Sequence, residues 1–203
     1  MIAVFAGLAV TLISMAFLRG GIAVSFEMML RCLSDFNRDY VLLARGHGLQ
    51  HGMSLFGLIK AAISAYFIIF LDYSKAGPVL KSFYAIYPFM VIIIFALACA
   101  LLIRKEVSYW QKVYILVAML LLLPQVSYDY KLIHLFFPLL FFLKSSQSSK
   151  YDYLYAMIFG LLMIPKDYFW LVSDVSIAVI INPLLLGAML GAIALEKGGV
   201  AEE

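Results

Sequence analysis

Charge is scarce in this chain. Asp, Glu, Lys and Arg make up 13% of its 203 residues, about half the share in a soluble domain. Cysteine is scarcer still, with two residues. Cys99 lies inside a hydrophobic run and Cys32 on an expected surface helix, so neither a disulfide framework nor a cysteine metal site is expected. No Walker loop, dinucleotide glycine pattern, nucleophile elbow or zinc signature occurs, which removes the common soluble enzyme classes. Met1 enters a hydrophobic run with no basic stretch before it, and the small residues near Arg19–Gly21 make no cleavage site. A signal peptide is therefore not expected. Either the N-terminus is translocated or the chain begins partway through a larger protein.

Apolar residues are abundant, at 65%, with a mean hydropathy of +1.01. The net charge of +3 reflects loop lysines and arginines rather than a nucleic-acid surface. Hydrophobic runs lie at Ile2–Leu18, Leu55–Leu71, Ala85–Ile103, Val113–Leu123, Leu132–Leu143, Leu154–Ile164 and Val175–Leu195. A membrane span needs about 20 apolar residues. Ala85–Ile103 and Val175–Leu195 qualify cleanly, and flanking tyrosines and Trp110 extend the shorter runs through the interface. The expected fold is an all-α polytopic membrane protein, a bundle of six or seven transmembrane helices plus an amphipathic interfacial helix. It forms one transmembrane domain over 1–203, with a first helix at 1–19, an interfacial helix and Gly-rich loop at 20–54, a helical bundle at 55–195 and a polar tail at 196–203.

The interfacial helix is read from Phe26, Met29, Leu30, Leu33, Phe36, Tyr40 and Val41 at helical spacing, with Glu27, Arg31, Asp35, Arg38 and Asp39 on the other side. Glu27–Arg31 and Asp35–Arg38 are at pairing distance. The short loops carrying Arg104, Lys105 and Lys112, and Lys144 and Lys150, are placed in the cytoplasm by their positive charge. The loop between them is then extracytoplasmic, and so is Pro165–Asp174. Two arrangements of Leu55–Leu71 stay open. If it spans, Gly20–Ser54 is cytoplasmic; if it is re-entrant or interfacial, that segment joins the outer side.

Three polar constellations follow. In RGHGLQHGMSLFGLIK, Ser54 is a good N-cap. Arg45, His47, His51, Ser54 and Lys60 suit a lipid phosphate at a helix N-terminus. The competing reading is a glycine-rich turn into a capped helix. His47 and His51 lack a third ligand, so no metal is expected. In PQVSYDYKLIH, the residues Tyr128, Asp129, Tyr130, Lys131 and His134 interrupt two apolar runs. Ser127 or Asp129 can cap the next helix, Tyr130 and His134 share a helical face, and Pro138 can kink that helix. Tyrosines alone suit an aromatic belt; Asp129 with His134 suits a polar cavity binding substrate. In IPKDYFWLVSD, interfacial anchoring explains Lys166, Tyr168 and Trp170, while Asp167 and Asp174 are candidates to cover the cavity.

NRDY…RGHGLQHGMSLFGLIK is similar to a loop of bacterial glycosyltransferase family 87, the DUF2029 group of polytopic GT-C enzymes. LLPQVSYDYKLIHLFFP resembles a later block of that family, and MIFGLLMIP…INPLLLGAMLGAIAL its last helices, so the resemblance covers Phe26 to Leu195. It implies transfer of a hexosyl or pentosyl group from a polyprenyl-phosphate sugar to an extracytoplasmic acceptor, in a multi-pass protein of the bacterial inner membrane. It implies no cofactor and no nucleic-acid partner. In the family, the acidic residue that would act as base lies in the first extracytoplasmic loop of a much longer chain. This chain therefore resembles the C-terminal part, its catalytic residue is unknown, and the missing half is a candidate partner as a separate chain. A non-catalytic scaffold or subunit, or a lipid or polysaccharide transporter, are the alternatives.

Overall fold

The computed structural model describes residues 2–17, 21–36, 41, 49, 51–103, 107–145, 149–166, 170–172 and 175–196. The chain divides into two compact units, Met1–Leu43 and Ala44–Glu203.

The first unit holds α1 (Ile2–Phe17) and α2 (Gly21–Asp35). Gly21 opens α2 at φ 74°, a left-handed conformation that glycine adopts without a Cβ penalty. The hydroxyl of Ser25 donates back to the Met15 carbonyl at 3.2 Å. The expected Glu27–Arg31 pair forms at 2.7 Å. Phe26, Met29, Leu30 and Leu33 are all exposed. The expected partner of Asp35, Arg38, lies outside the described residues, as do Asp39 and Tyr40.

The second unit contains α3 (Leu55–Phe70), α4 (Ala76–Ile103), α5 (Tyr109–Leu122), α6 (Phe136–Lys144), α7 (Asp152–Met163) and α8 (Ala178–Leu195). Trp110 is its packing centre. The indole lies 5.0 Å from the rings of both Phe142 and Tyr155 and 6.3 Å from that of Phe159. The chain is not purely helical. Strands β1 (Trp170–Val172) and β2 (Val175–Ser176) pair antiparallel, Trp170 with Ser176 and Val172 with Val175, across an irregular register. The apolar run expected to be helical from Val175 therefore enters α8 only at Ala178. Tryptophan and valine are residue types favoured in strands.

α4 and α8 are each long and apolar enough to cross a membrane. Phe5–Phe17 and Gly21–Asp35, bent by 105°, pass the same test as a pair. This is the pattern of a membrane protein. α5 has 14 residues and reaches about 21 Å, short of the ~30 Å hydrocarbon core. α6 has nine residues but follows a seven-residue 3₁₀ stretch, Asp129–Leu135. At about 2.0 Å per residue that stretch gives the combined segment a length near 27 Å.

The end of the 3₁₀ stretch has a sequence cause. An α-helix would bond the His134 carbonyl to the N–H of residue 138, and Pro138 has none. The Phe136 N–H turns to the His134 and Ile133 carbonyls instead. Pro138 therefore marks the change from 3₁₀ to α geometry rather than a kink within a longer α-helix. Three residues per turn also separate Tyr130 from His134, which a continuous α-helix would put on one face.

α3 and the first part of α4 form a hairpin at one end of this unit. Phe56, at the start of α3, packs on Phe83, Tyr84 and Tyr87 of α4 with centroids 5.3, 6.1 and 5.1 Å apart. The Tyr87 hydroxyl donates to the Leu123 carbonyl just past α5, at 2.8 Å. Residues 88–103 of α4 thus accompany α5, and residues 76–87 accompany α3. At the opposite end, the Glu196 carboxylate accepts from Gln111 Nε2 at 2.6 Å, from the Tyr155 hydroxyl at 2.7 Å and from the Ser149 hydroxyl. Glu196, expected to open a polar tail, instead fastens the end of α8 to α5 and α7.

Candidate functional site

Two segments that the sequence separates by more than seventy residues meet at the hairpin end. Gly52 and Tyr128 form an isolated antiparallel bridge. The Met53 N–H donates to the Ser127 carbonyl at 2.8 Å, and the Asp129 N–H to the His51 carbonyl at 3.0 Å. These bonds flank the bridged pair, so Gly52 and Tyr128 occupy a non-hydrogen-bonded position where antiparallel chains come closest.

Ser54 locks the junction. Its Oγ accepts from the Gly57 N–H at 2.9 Å and so caps α3, as expected. The same hydroxyl donates to the Gln125 carbonyl at 3.0 Å. A Cβ on Gly57 would stand 3.2 Å from that oxygen, which explains a small residue at this position. Phe56, Gly57, Lys60, Ala61 and Ser64 form the buried face of α3. Phe56 marks its α4 side; Ala61, clustered with Leu49 and Val179, marks the side toward α8. Lys60 lies between them, 2% exposed. Burial lowers its pKa from 10.5 to about 8.

Asp129 joins this loop to an open cleft of about 480 Å³. On one side its Oδ2 lies 3.8 Å from His51 Nδ1, beyond hydrogen-bond length but near enough for charge attraction. On the other it lines the cleft together with Tyr130, Ile133 and Phe136, Leu162 and Met163 at the end of α7, Lys166 just beyond it, and Asn182 in α8. Lys166 Nζ donates to the carbonyls of Leu161 and Ile164 at 2.6 and 2.9 Å. A cation there complements the negative end of the α7 dipole.

The remaining expected residues divide clearly. The Tyr128 and Tyr130 rings stack, 6.0 Å apart and inclined by 20°. Tyr128, not Ser127 or Asp129, caps the 3₁₀ stretch, and it does so without a side-chain bond. His134 Nδ1–H donates to the Lys131 carbonyl at 2.8 Å, which turns the imidazole to local backbone work; neither His134 nor Lys131 lines the cleft. Arg45, His47, Asp167, Tyr168 and Asp174 lie outside the described residues. Among the described residues, no three His, Cys, Asp or Glu side chains gather to hold a metal ion.

Lys166 gains a place on the cleft wall beyond the anchoring expected of it. Asn182 was missed altogether, although its signal is simple: it is the one amide inside AVIINPLLLGAMLGAIAL, and polar groups within spans mark functional positions. Comparison with protein families, curated proteins and solved structures finds no match to this chain.

Proposed function

We propose that this chain forms the lipid-substrate face of a membrane glycosyltransferase, acting on a polyprenyl-phosphate sugar. The observation that carries the reading is the pairing of residues 51–53 with 127–129. It brings a histidine–carboxylate couple, His51 and Asp129, to the edge of a cleft with apolar walls, and the helix that follows residues 51–53 carries a buried lysine, Lys60. An amphiphile with an anionic and a hydroxylated part suits that combination. Asp129 is the residue best placed to orient a reacting hydroxyl. The family resemblance of the loop and the YDY block supports the same chemistry.

In this reading α1, α4, α5, α6 with its 3₁₀ extension, α7 and α8 make six crossings of the bacterial inner membrane, and α2 lies along the surface. α3 is a non-crossing helix on the site side. Arg104, Lys105, Lys112, Lys144 and Lys150 orient the opposite end toward the cytoplasm. Lys75, Lys81, Lys131 and Lys166 oppose this orientation, so sidedness enters the test. The assay follows label from a polyprenyl-phosphate sugar to a membrane-impermeant acceptor supplied outside sealed cells expressing the chain with any partner it needs. Asp129→Ala lowers transfer at least about tenfold, as loss of a hydrogen bond to a charged group implies, with unchanged protein abundance. Unchanged transfer sinks the reading in favour of a scaffold. Product formed only in inverted vesicles reverses the orientation, and lipid movement without a new glycosidic bond identifies a transporter.

A further inference from the structure

We infer that the cleft between the 3₁₀ stretch, the end of α7 and the start of α8 binds the polyhydroxylated head of an amphiphile, with Asn182 as its principal polar contact. The inference deepens the reading above by naming which part of the lipid the cleft holds. It is also separable from that reading, because binding requires no transfer.

The starting point is an orphaned atom. Asn182 lines the cleft, is 2% exposed, and its Oδ1 is buried without a hydrogen-bond partner. A buried amide oxygen left unpaired is costly, and such groups in folded proteins call for an explanation. Its neighbours along α8 offer none: Val179 and Leu186 are apolar and fully buried, and Pro183 has no N–H. A ligand that supplies a hydrogen resolves the deficit.

The other polar groups narrow the class of ligand. Asp129 places a carboxylate on the same cleft, and an ionised carboxylate only accepts hydrogen bonds. Two acceptors select a head rich in donors. Lys166 does not reverse that preference, because its ammonium bonds the Leu161 and Ile164 carbonyls at the end of α7. A phosphate head brings acceptors and negative charge toward Asp129, and a choline head brings no donor. A sugar or polyol brings hydroxyls, and a hydroxyl satisfies the Asn182 amide in either of its orientations. The walls choose the remainder of the molecule. Ile133 and Phe136 are 64% and 50% exposed, facing Leu162 and Met163 across an open groove. That surface suits a hydrocarbon chain.

The test uses the full chain in phosphatidylcholine nanodiscs and two photoreactive probes of equal chain length. One is an alkyl glucoside and the other an alkyl phosphocholine, each with a diazirine in the chain. The glucoside should label peptides covering residues 129–136 and 162–166, and excess unlabelled glucoside should remove that label. Asn182→Leu should reduce labelling at least tenfold while leaving the unfolding temperature equal or higher, because it deletes an unpaired buried acceptor. Ile133→Trp changes an exposed position, folds normally and should also reduce labelling by narrowing the groove. Equal labelling by the phosphocholine probe would show a general lipid groove and overturn the inference. Undiminished labelling of Asn182→Leu, or a lowered unfolding temperature for that variant, would overturn it as well. Labelling that persists where sugar transfer fails would count against the transferase reading alone.

Discussion

Ser54→Ala lowers the stability of the second unit by about 1.5–2.5 kcal/mol, and Ser54→Thr recovers most of the loss. The size follows from two roles held by one hydroxyl. Removing a serine N-cap costs about 1 kcal/mol, and Ser54 caps α3 through the Gly57 N–H. Its second bond runs to the Gln125 carbonyl, and a net intramolecular hydrogen bond contributes about 0.5–1.5 kcal/mol. Ser54 is 1% exposed, so water cannot readily replace either partner. Thermal unfolding in detergent micelles, followed by circular dichroism, measures the loss. Protease sensitivity should rise around residues 51–54 and 124–128 together, because both segments hang on the same oxygen. An unaltered unfolding temperature would show that the junction contributes nothing to the fold.

Glu196→Ala has an effect of similar or larger size at the opposite end. Three donors converge on one carboxylate, and two come from buried residues, Gln111 and Tyr155. Hydrogen bonds to charged groups contribute about 1.5–3 kcal/mol each. They are not additive within one network, and Glu196 itself is half-exposed. A total near 3 kcal/mol is therefore expected. Glu196→Gln, which keeps one acceptor and loses the charge, should fall between. Hydrogen exchange locates the effect: amides of the last turn of α8 and the first turn of α7 lose protection, and those around Gly52 and Tyr128 do not. If exchange at the end of α8 is unchanged, the carboxylate is a surface group and the fastening is absent.

What the sequence displayed was governed by distance along the chain. The Ser54 cap and the Glu27–Arg31 pair each depend on residues three or four apart, and both appear as expected. Helical character was equally visible, because apolar runs of this length admit few alternatives. The Gly52–Tyr128 bridge was hidden, since it needs two loops brought together by α4 and α5, and no local pattern encodes that approach. The packing of Phe56 on Tyr87 and the bond from the Tyr87 hydroxyl to the Leu123 carbonyl, which fix the start of α3 against α4 and the end of α5, are equally long-range. The 3₁₀ stretch misled for a different reason. Tyr130 and His134 sit four apart, which reads as one face only if the helix is α, and residues 129–135 are 3₁₀. Glu196 reads as the start of a polar tail because an acidic residue just past an apolar helix is ordinarily solvated. Only the tertiary position of Gln111, Ser149 and Tyr155 shows otherwise.

Residues 51–54 and the YDY loop form one site at one end of the second unit. A disulfide tests it most directly. Gly52→Cys and Tyr128→Cys are combined in a chain whose Cys32 and Cys99 are serine, and membranes are oxidised before unreacted thiols are counted by mass. A non-hydrogen-bonded antiparallel pair places its Cα atoms about 4.5 Å apart, inside the range of about 4.4–6.8 Å that a disulfide spans. The account predicts near-complete loss of both thiols, and none for Gly52→Cys paired with Ser149→Cys, whose second position lies beside Glu196 at the other end. Two free thiols at positions 52 and 128 after oxidation, as would follow if Leu55–Phe70 carried the loop to the opposite side of the membrane, would contradict it.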